Sequence, residues 1–206
     1  MQNEENLSRR LREKIAHRQE ILEAAKRVFA RKGFHAATVD EIAQEADFSK
    51  GAMYVHFANK EDLFLSLIQE KTEELGERLE EVVHSADDLE NKVRRFVKTY
   101  LDAFDEDKEF FQIIAAERPR LTAQTQDRLQ LRLRERYLET LRLVDEMMQG
   151  GIHQGRLKQT EPRFLGITLL GIIHSFTAQW LLLGRKDPLS RMESLIVELF
   201  LGGARV

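Results

Sequence analysis

The chain has 206 residues, 42% of them hydrophobic and 33% charged, with a formal net charge of -3. That composition fits a soluble chain with one core and a small satellite domain, and the absence of Cys excludes disulfides, thiolate zinc sites and cysteine nucleophiles together. The charge is unevenly spread: residues 1–35 hold nine Lys and Arg against five Asp and Glu, net +4, which leaves -7 for the remainder.

The first eight residues contain no apolar run of signal-peptide type, so the protein is expected in the cytoplasm. Ile21, Leu22, Ala25, Val28 and Phe29 fall at i, i+1, i+4, i+7 and i+8, which predicts an amphipathic helix. Arg27, Arg31 and Lys32 occupy its last turns, and Gly33 can take the left-handed conformation that ends it. Thr38 and Glu41 form a capping box, and Val39, Ile42, Ala43 and Ala46 give a second helix of barely two turns. Ser49 caps a third, whose Met53 and Phe57 pack inward and leave Lys50, Gly51, Ala52, Tyr54 and His56 to face outward. Asn59 and Asp62 repeat the capping pattern for a longer helix from Lys60 to about Val83, carrying Leu63, Phe64, Leu67 and Ile68.

Asp87 with Glu90 predicts the next start, ahead of Val93, Phe96, Val97, Tyr100, Leu101 and Phe104. A short apolar helix follows at Phe110, Phe111, Ile113 and Ile114 and ends before Pro119. A long charged helix is expected from Thr122 to about Gln149, with Leu129, Leu133, Tyr137, Leu141, Val144 and Met148 on one side; Gly150 and Gly151 punctuate it. Pro162 suits a first helical turn, and Asp187 with Pro188 starts the last helix, striped by Leu189, Met192, Ile196 and Leu199. Apolar residues follow helical periods almost throughout, so the fold class is all-α, with about nine helices.

Phe164 to Leu183 is twenty residues without Asp, Glu, Lys or Arg, long enough to cross a bilayer. Thr168, His174, Ser175, Thr177 and Gln179 lie within it and no other stretch comes close, so it is read as a helix buried on all sides rather than a membrane span. A second copy of the chain is the simplest cover, through helices at 162–183 and 188–201, where Gly171 and Ser175 let backbones approach closely.

Ala24, Ala25, Phe29, Gly33, Phe34, Thr38, Val39, Ile42, Ala43, Ser49, Lys50, Gly51, Tyr54, His56, Phe57, Lys60 and Leu63 together make a pattern. It resembles the helix-turn-helix DNA-binding domain of the TetR family of transcriptional regulators. The resemblance implies a reader in residues 1–59 and a helical ligand-binding and dimerisation domain in 60–206, and it is weaker in the latter. It further implies that Lys50 contacts a base or phosphate, that Tyr54 and His56 contact phosphates, and that Lys60 meets the backbone. Thr38 and Ser49, with the amides they cap, suit phosphate oxygens, and the methyl of Ala52 suits a thymine methyl. Two positions depart from the family: Asp47 stands where Gly is usual in the turn, and Val55 replaces a hydrogen-bonding residue.

In the family a pocket among the C-terminal helices receives an inducer. The candidate lining here is Phe96, Tyr100, Phe104, Phe111, Tyr137, Met148, His174 and Trp180, although aromatics and Met at helical spacing also serve simply as core. His174 and Gln179 either orient a ligand or hydrogen-bond across a dimer. No metal or cofactor is expected, since the six His are scattered without ligand spacing. An enzyme finds no glycine-rich phosphate loop and no nucleophile elbow. The expectation is a homodimeric repressor released from a palindromic operator by a small, largely apolar ligand. A DNA-binding protein without an effector, and a helical adaptor or enzyme keeping a relic helix-turn-helix, are the alternatives.

Overall fold

The computed structural model describes residues 2–117, 121–184 and 187–206, with backbone alone for 2–8 and 109. Among these, nine α-helices follow one another: α1 (Gln2–Ala36), α2 (Val39–Glu45), α3 (Lys50–His56), α4 (Lys60–Val83), α5 (Leu89–Glu106), α6 (Lys108–Glu117), α7 (Ala123–His153), α8 (Pro162–Leu182) and α9 (Glu193–Ala204). A 3-10 turn, Leu189–Met192, precedes α9, and an isolated β-bridge pairs Leu157 with Arg205.

Two apolar cores result. The first gathers Ile21, Val28, Phe29, Ile42, Met53 and Phe57 of α1–α3 with Leu63–Ile68 of α4, Phe110 of α6, Leu121, and Leu129 of α7. The second gathers Leu79 and Val83 of α4 with Val93, Phe96, Val144, Met148, Leu169, Ile173, Ile196 and Phe200. Helix α4 enters both, so its first half belongs to the core of the helix-turn-helix and its second half to the C-terminal core.

Local chemistry sets most boundaries. Asn59 and Thr122 accept from the amides three residues on, as their side chains predict. In α1 the helical path breaks at Gly33 (φ 76°, ψ 166°), where a Cβ would also lie 2.9 Å from Glu117 Oε1, so only glycine suits the site. Upstream, α1 continues back to Gln2, well before Ile21, because residues 9–20 are mostly good helix formers that bury almost nothing and so leave no apolar stripe.

Four expectations are corrected. Asp88, not Asp87, caps α5, accepting from Asn91 N–H at 2.9 Å, while Asp87 takes Ser85 and Arg95. Helix α7 runs through Gly150 and Gly151 to His153: a Cβ at Gly151 would lie 2.7 Å from Leu89 Cδ2, so this glycine permits close packing, and Gly155 (φ 66°) follows the end. Leu199 lies on the exposed side of α9, whose buried stripe is Ile196, Val197, Phe200 and Leu201. Finally, α8 is not buried on all sides within one chain: Phe164, Ile167, Thr168, Gly171, Ser175, Ala178 and Leu182 form a continuous exposed face, with Phe164 61% and Leu182 79% exposed. Helix α8 remains the one helix among the described residues long and apolar enough to cross a membrane. Helix α6 ends at Glu117, and Pro119 lies outside the described residues.

Candidate nucleic-acid interface

Helix α2 is held at its start by a complete capping box: Glu41 N–H donates to Thr38 Oγ1 at 3.2 Å, and Thr38 N–H to Glu41 Oε2 at 3.1 Å. Its outer side is fastened to α1 by Arg27 and Arg31, both on Glu45 at 2.8 and 2.6 Å, and by Lys32 on Glu41. The two guanidiniums hold the Glu45 carboxyl near a pKa of about 2. The turn to α3 places Asp47 at φ 60°, with Phe48 N–H returning to Ala43 O at 2.9 Å. Ser49 then accepts from Ala52 N–H at 3.1 Å and starts α3.

With Met53 and Phe57 buried, α3 turns Ser49, Lys50, Gly51, Tyr54 and Val55 to solvent; Tyr54 is 51% and Val55 68% exposed. This short helix, moored on one side and bare on the other, has the width of a major groove. The ammonium of Lys50 rests 2.8 Å from Asp40 on α2, an exposed pair that a phosphate can replace, and that carboxylate raises its pKa. His56 is half-buried with its Nδ1 unpartnered; burial first, then the charges of His17, Lys14 and Arg18 of α1, lower its pKa. Lys60 is placed differently: its ammonium donates to the carbonyls of Phe34, His35 and Ala37 at 2.7, 3.2 and 2.8 Å and lies 4.6 Å from the Phe34 ring centroid. It joins the start of α4 to the end of α1.

In the C-terminal half, Tyr100, Phe104, Phe111, Tyr137 and His174 form a chain of ring contacts. Phe104 stacks on Phe111 with centroids 4.0 Å apart, Tyr100 stacks on Phe104 at 5.7 Å, and Tyr100 and Tyr137 each lie 5.7 Å from His174. Tyr100 Oη is 2.9 Å from His174 Nε2; burial raises the phenol's pKa and lowers the imidazole's, so both stay neutral. Trp180 stands apart. It donates its indole N–H to Asp187 O at 2.8 Å and walls a cavity of about 410 Å³ with Ser175, Gln179, Leu189, Arg191 and Met192.

The profile of "Bacterial regulatory proteins, tetR family" matches residues 21–67, and that of "YsiA-like protein, C-terminal region" matches residues 68–203. The chain belongs to the TetR family. It is a transcriptional regulator with a DNA-binding helix-turn-helix and a helical C-terminal domain. Among TetR-family relatives, the HTH-type transcriptional repressor AcnR of Corynebacterium diphtheriae is 32% identical over 186 residues, covering 88% of this chain and 90% of the relative. A fatty acid metabolism regulator protein of Bacillus subtilis is 27% identical over 192 residues, 89% and 93% of the two chains. The structure of the regulator FadR from Bacillus subtilis in complex with stearoyl-CoA superposes with a TM-score of 0.75 at 25% identity, covering 90% of this chain and 98% of that one.

For this TetR-family chain, the structure brings Thr38, Ser49, Lys50, Gly51 and Tyr54 to one exposed surface, with Ala52 and His56 half-buried at its edge and Lys60 turned toward α1. It gathers five of the eight inducer candidates in one chain of ring contacts; Phe96 and Met148 are fully buried in the core and Trp180 lines the cavity beside the 3-10 turn. That Ser175, Leu189, Arg191 and Met192 line this cavity escaped sequence reasoning, because nothing in the α8 pattern reveals that the 3-10 turn folds back over it.

Proposed function

We propose that the protein is a homodimeric repressor that reads a pseudo-palindromic operator with α3 and lets go of it when a long acyl chain inserts among the aromatic rings of the C-terminal domain. The bare outer face of a rigidly capped α3 carries this reading. Thr38, Ser49 and Gly51 offer phosphates their amides and hydroxyls, Lys50 exchanges Asp40 for a phosphate or a base edge, and Tyr54 and His56 flank the backbone. Ala52 and Val55 offer methyl groups to thymine. Lys60 acts at one remove, by fixing α1 against α4. The boundary at residue 60 is thus functional rather than a break between cores, since Leu63–Ile68 pack with the reader. DNA binding supports a cytoplasmic location, and the exposed apolar faces of α8 and α9 support pairing with a second copy rather than with lipid.

The aromatic chain from Tyr100 to Phe111, with the neutral Tyr100–His174 pair at its edge, suits an apolar tail ending in an uncharged carbonyl, such as a fatty acyl thioester. The name of one relative and the ligand of the FadR structure support that class. From the aromatic chain, Phe111 leads along α6 to Glu117, which meets Gly33 and His35 of α1. A coupling of about 1 to 3 kcal/mol along this route suffices to change operator affinity from several-fold to a hundredfold. The test is selection from random duplex DNA, followed by titration of the enriched palindrome complex with stearoyl-CoA. Enrichment and release are expected. Without an enriched palindrome the regulator reading fails, and without release or a thermal shift the acyl effector fails.

A further inference from the structure

The first turns of α1 are unexplained by the helix-turn-helix. Residues 9–20 extend about 18 Å at 1.5 Å per residue, are almost wholly exposed, and hold Arg9, Arg10, Arg12, Lys14 and Arg18 against Glu13 and Glu20. The helix face that buries Ile21, Ala25 and Val28 changes character there: Lys14 lies seven residues before Ile21, Arg18 seven before Ala25, and Arg10 four before Lys14. One continuous face is therefore apolar where it meets protein and basic where it meets solvent.

This basic stretch is tied to the reader. The guanidinium of Arg18 lies 4.9 Å from the Phe57 ring centroid, His17 meets Phe48 edge-on at 5.0 Å and lies 6.3 Å from His56, and Lys14 and Arg18 both act on His56. Gln19 Nε2 donates to Glu70 Oε1 at 2.5 Å and anchors the same segment to α4. These contacts hold the basic stretch beside α3, with its cations at four-residue intervals.

We infer that residues 9–18 are a second nucleic-acid contact, in which Arg10, Lys14 and Arg18 lie along phosphates flanking the bases that α3 reads. This rests on the operator-binding reading. The partner is the phosphate backbone rather than base edges, because a row of spaced cations matches a row of phosphates and carries no sequence code. Leu11 and Ile15, 59% exposed beside this row, make an anionic bilayer the competing partner.

The double variant Arg10→Gln/Lys14→Gln leaves Arg18, His17 and both cores untouched, so its thermal midpoint should match the wild type. Both proteins are titrated, over a salt series, with a duplex selected from random sequence by the wild type. One form ends at the palindrome, and the other adds flanks of about one helical turn, about 10 bp. The expected result is that the wild type prefers the flanked duplex and the variant does not. On that duplex the variant's log K against log salt slope should be shallower by about 3.6, roughly 0.9 for each of the four phosphates that the two subunits of the variant no longer neutralise. Equal slopes and equal flank preference would overturn the second contact while leaving α3 recognition standing, whereas failure of the wild type to bind any duplex would sink the operator reading itself. Equal DNA binding together with loss of binding to anionic phosphatidylglycerol vesicles assigns the segment to a membrane and overturns the proposal.

Discussion

Asp47 sits at φ 60° in the turn between α2 and α3, a conformation that Asp tolerates better than most residues and Gly adopts freely. Asp47→Gly should leave stability unchanged or raise it by up to about 1 kcal/mol, since relief of backbone strain offsets glycine's greater unfolded-state entropy. Asp47→Val, with a branched side chain in the same place, should lose about 1 to 2 kcal/mol. Urea unfolding of the three proteins checks both, and the glycine variant should also bind operator more tightly at low salt, having lost an exposed negative charge at the turn. His56 gives a pH dependence. Its folded-state pKa is lowered by burial and by the cations of α1, so the fold prefers the neutral ring more than the unfolded chain does. That contribution is fully present above the ordinary value of about 6.5 and is lost as pH falls through it toward the lowered folded value. Stability should therefore drop from pH 7 to 5, and His56→Gln should make that drop shallower; identical pH profiles for the two proteins would exclude the effect.

At the scale of elements, what the sequence reveals depends on whether a boundary is decided locally. The starts of α2, α3, α4 and α7 are written in Thr38, Ser49, Asn59 and Thr122, because a cap acts on amides two or three residues away. The end of α7 is not local, since Gly151 is helical and a side chain there would run into Leu89 and Leu157, so this glycine marks close packing rather than a helix end. Nor does a largely apolar α8 announce which face its neighbours cover. Lys60 is the clearest case in the reader: its place in the motif suggests a phosphate contact, yet its three carbonyl acceptors belong to a segment 23 to 26 residues earlier. Lys60→Met keeps most of the stem but removes every donor. It should cost about 1 to 3 kcal/mol in unfolding experiments and leave the salt slope of operator binding unchanged. The joint at Asp107 is also tertiary: its carboxylate, 13% exposed, accepts from Lys26 of α1 and lies 3.0 Å from Lys71 of α4, next to the Phe104–Phe111 stack. Asp107→Asn should destabilise the fold by about 1 to 3 kcal/mol, and stearoyl-CoA should release the operator less completely from the variant.

Across the whole molecule, the exposed face of α8 is the feature most in need of a partner. Phe164, Ile167, Gly171, Ser175, Ala178 and Leu182 run its length, and Leu195, Leu199 and Gly202 extend the surface on α9. A Cβ added at Gly171 or Gly202 meets nothing within 4 Å in a single chain, so neither glycine is required by its own subunit. Their smallness makes sense against a second helix pair brought close, and in the dimer proposed above a two-fold axis there would give each operator half-site its own α3. A monomer holds one half-site at a time, whereas a dimer makes its second contact at the effective concentration set by the first. Gly171→Arg adds a bulky charge at the centre of this face without touching either core. The variant should keep its helical content and elute as a monomer in light-scattering chromatography, where the wild type elutes as a dimer. Its affinity for the full palindrome should fall by about 10² to 10⁴, while its affinity for an isolated half-site stays the same. A Gly171→Arg protein that remains dimeric would move the subunit contact away from α8.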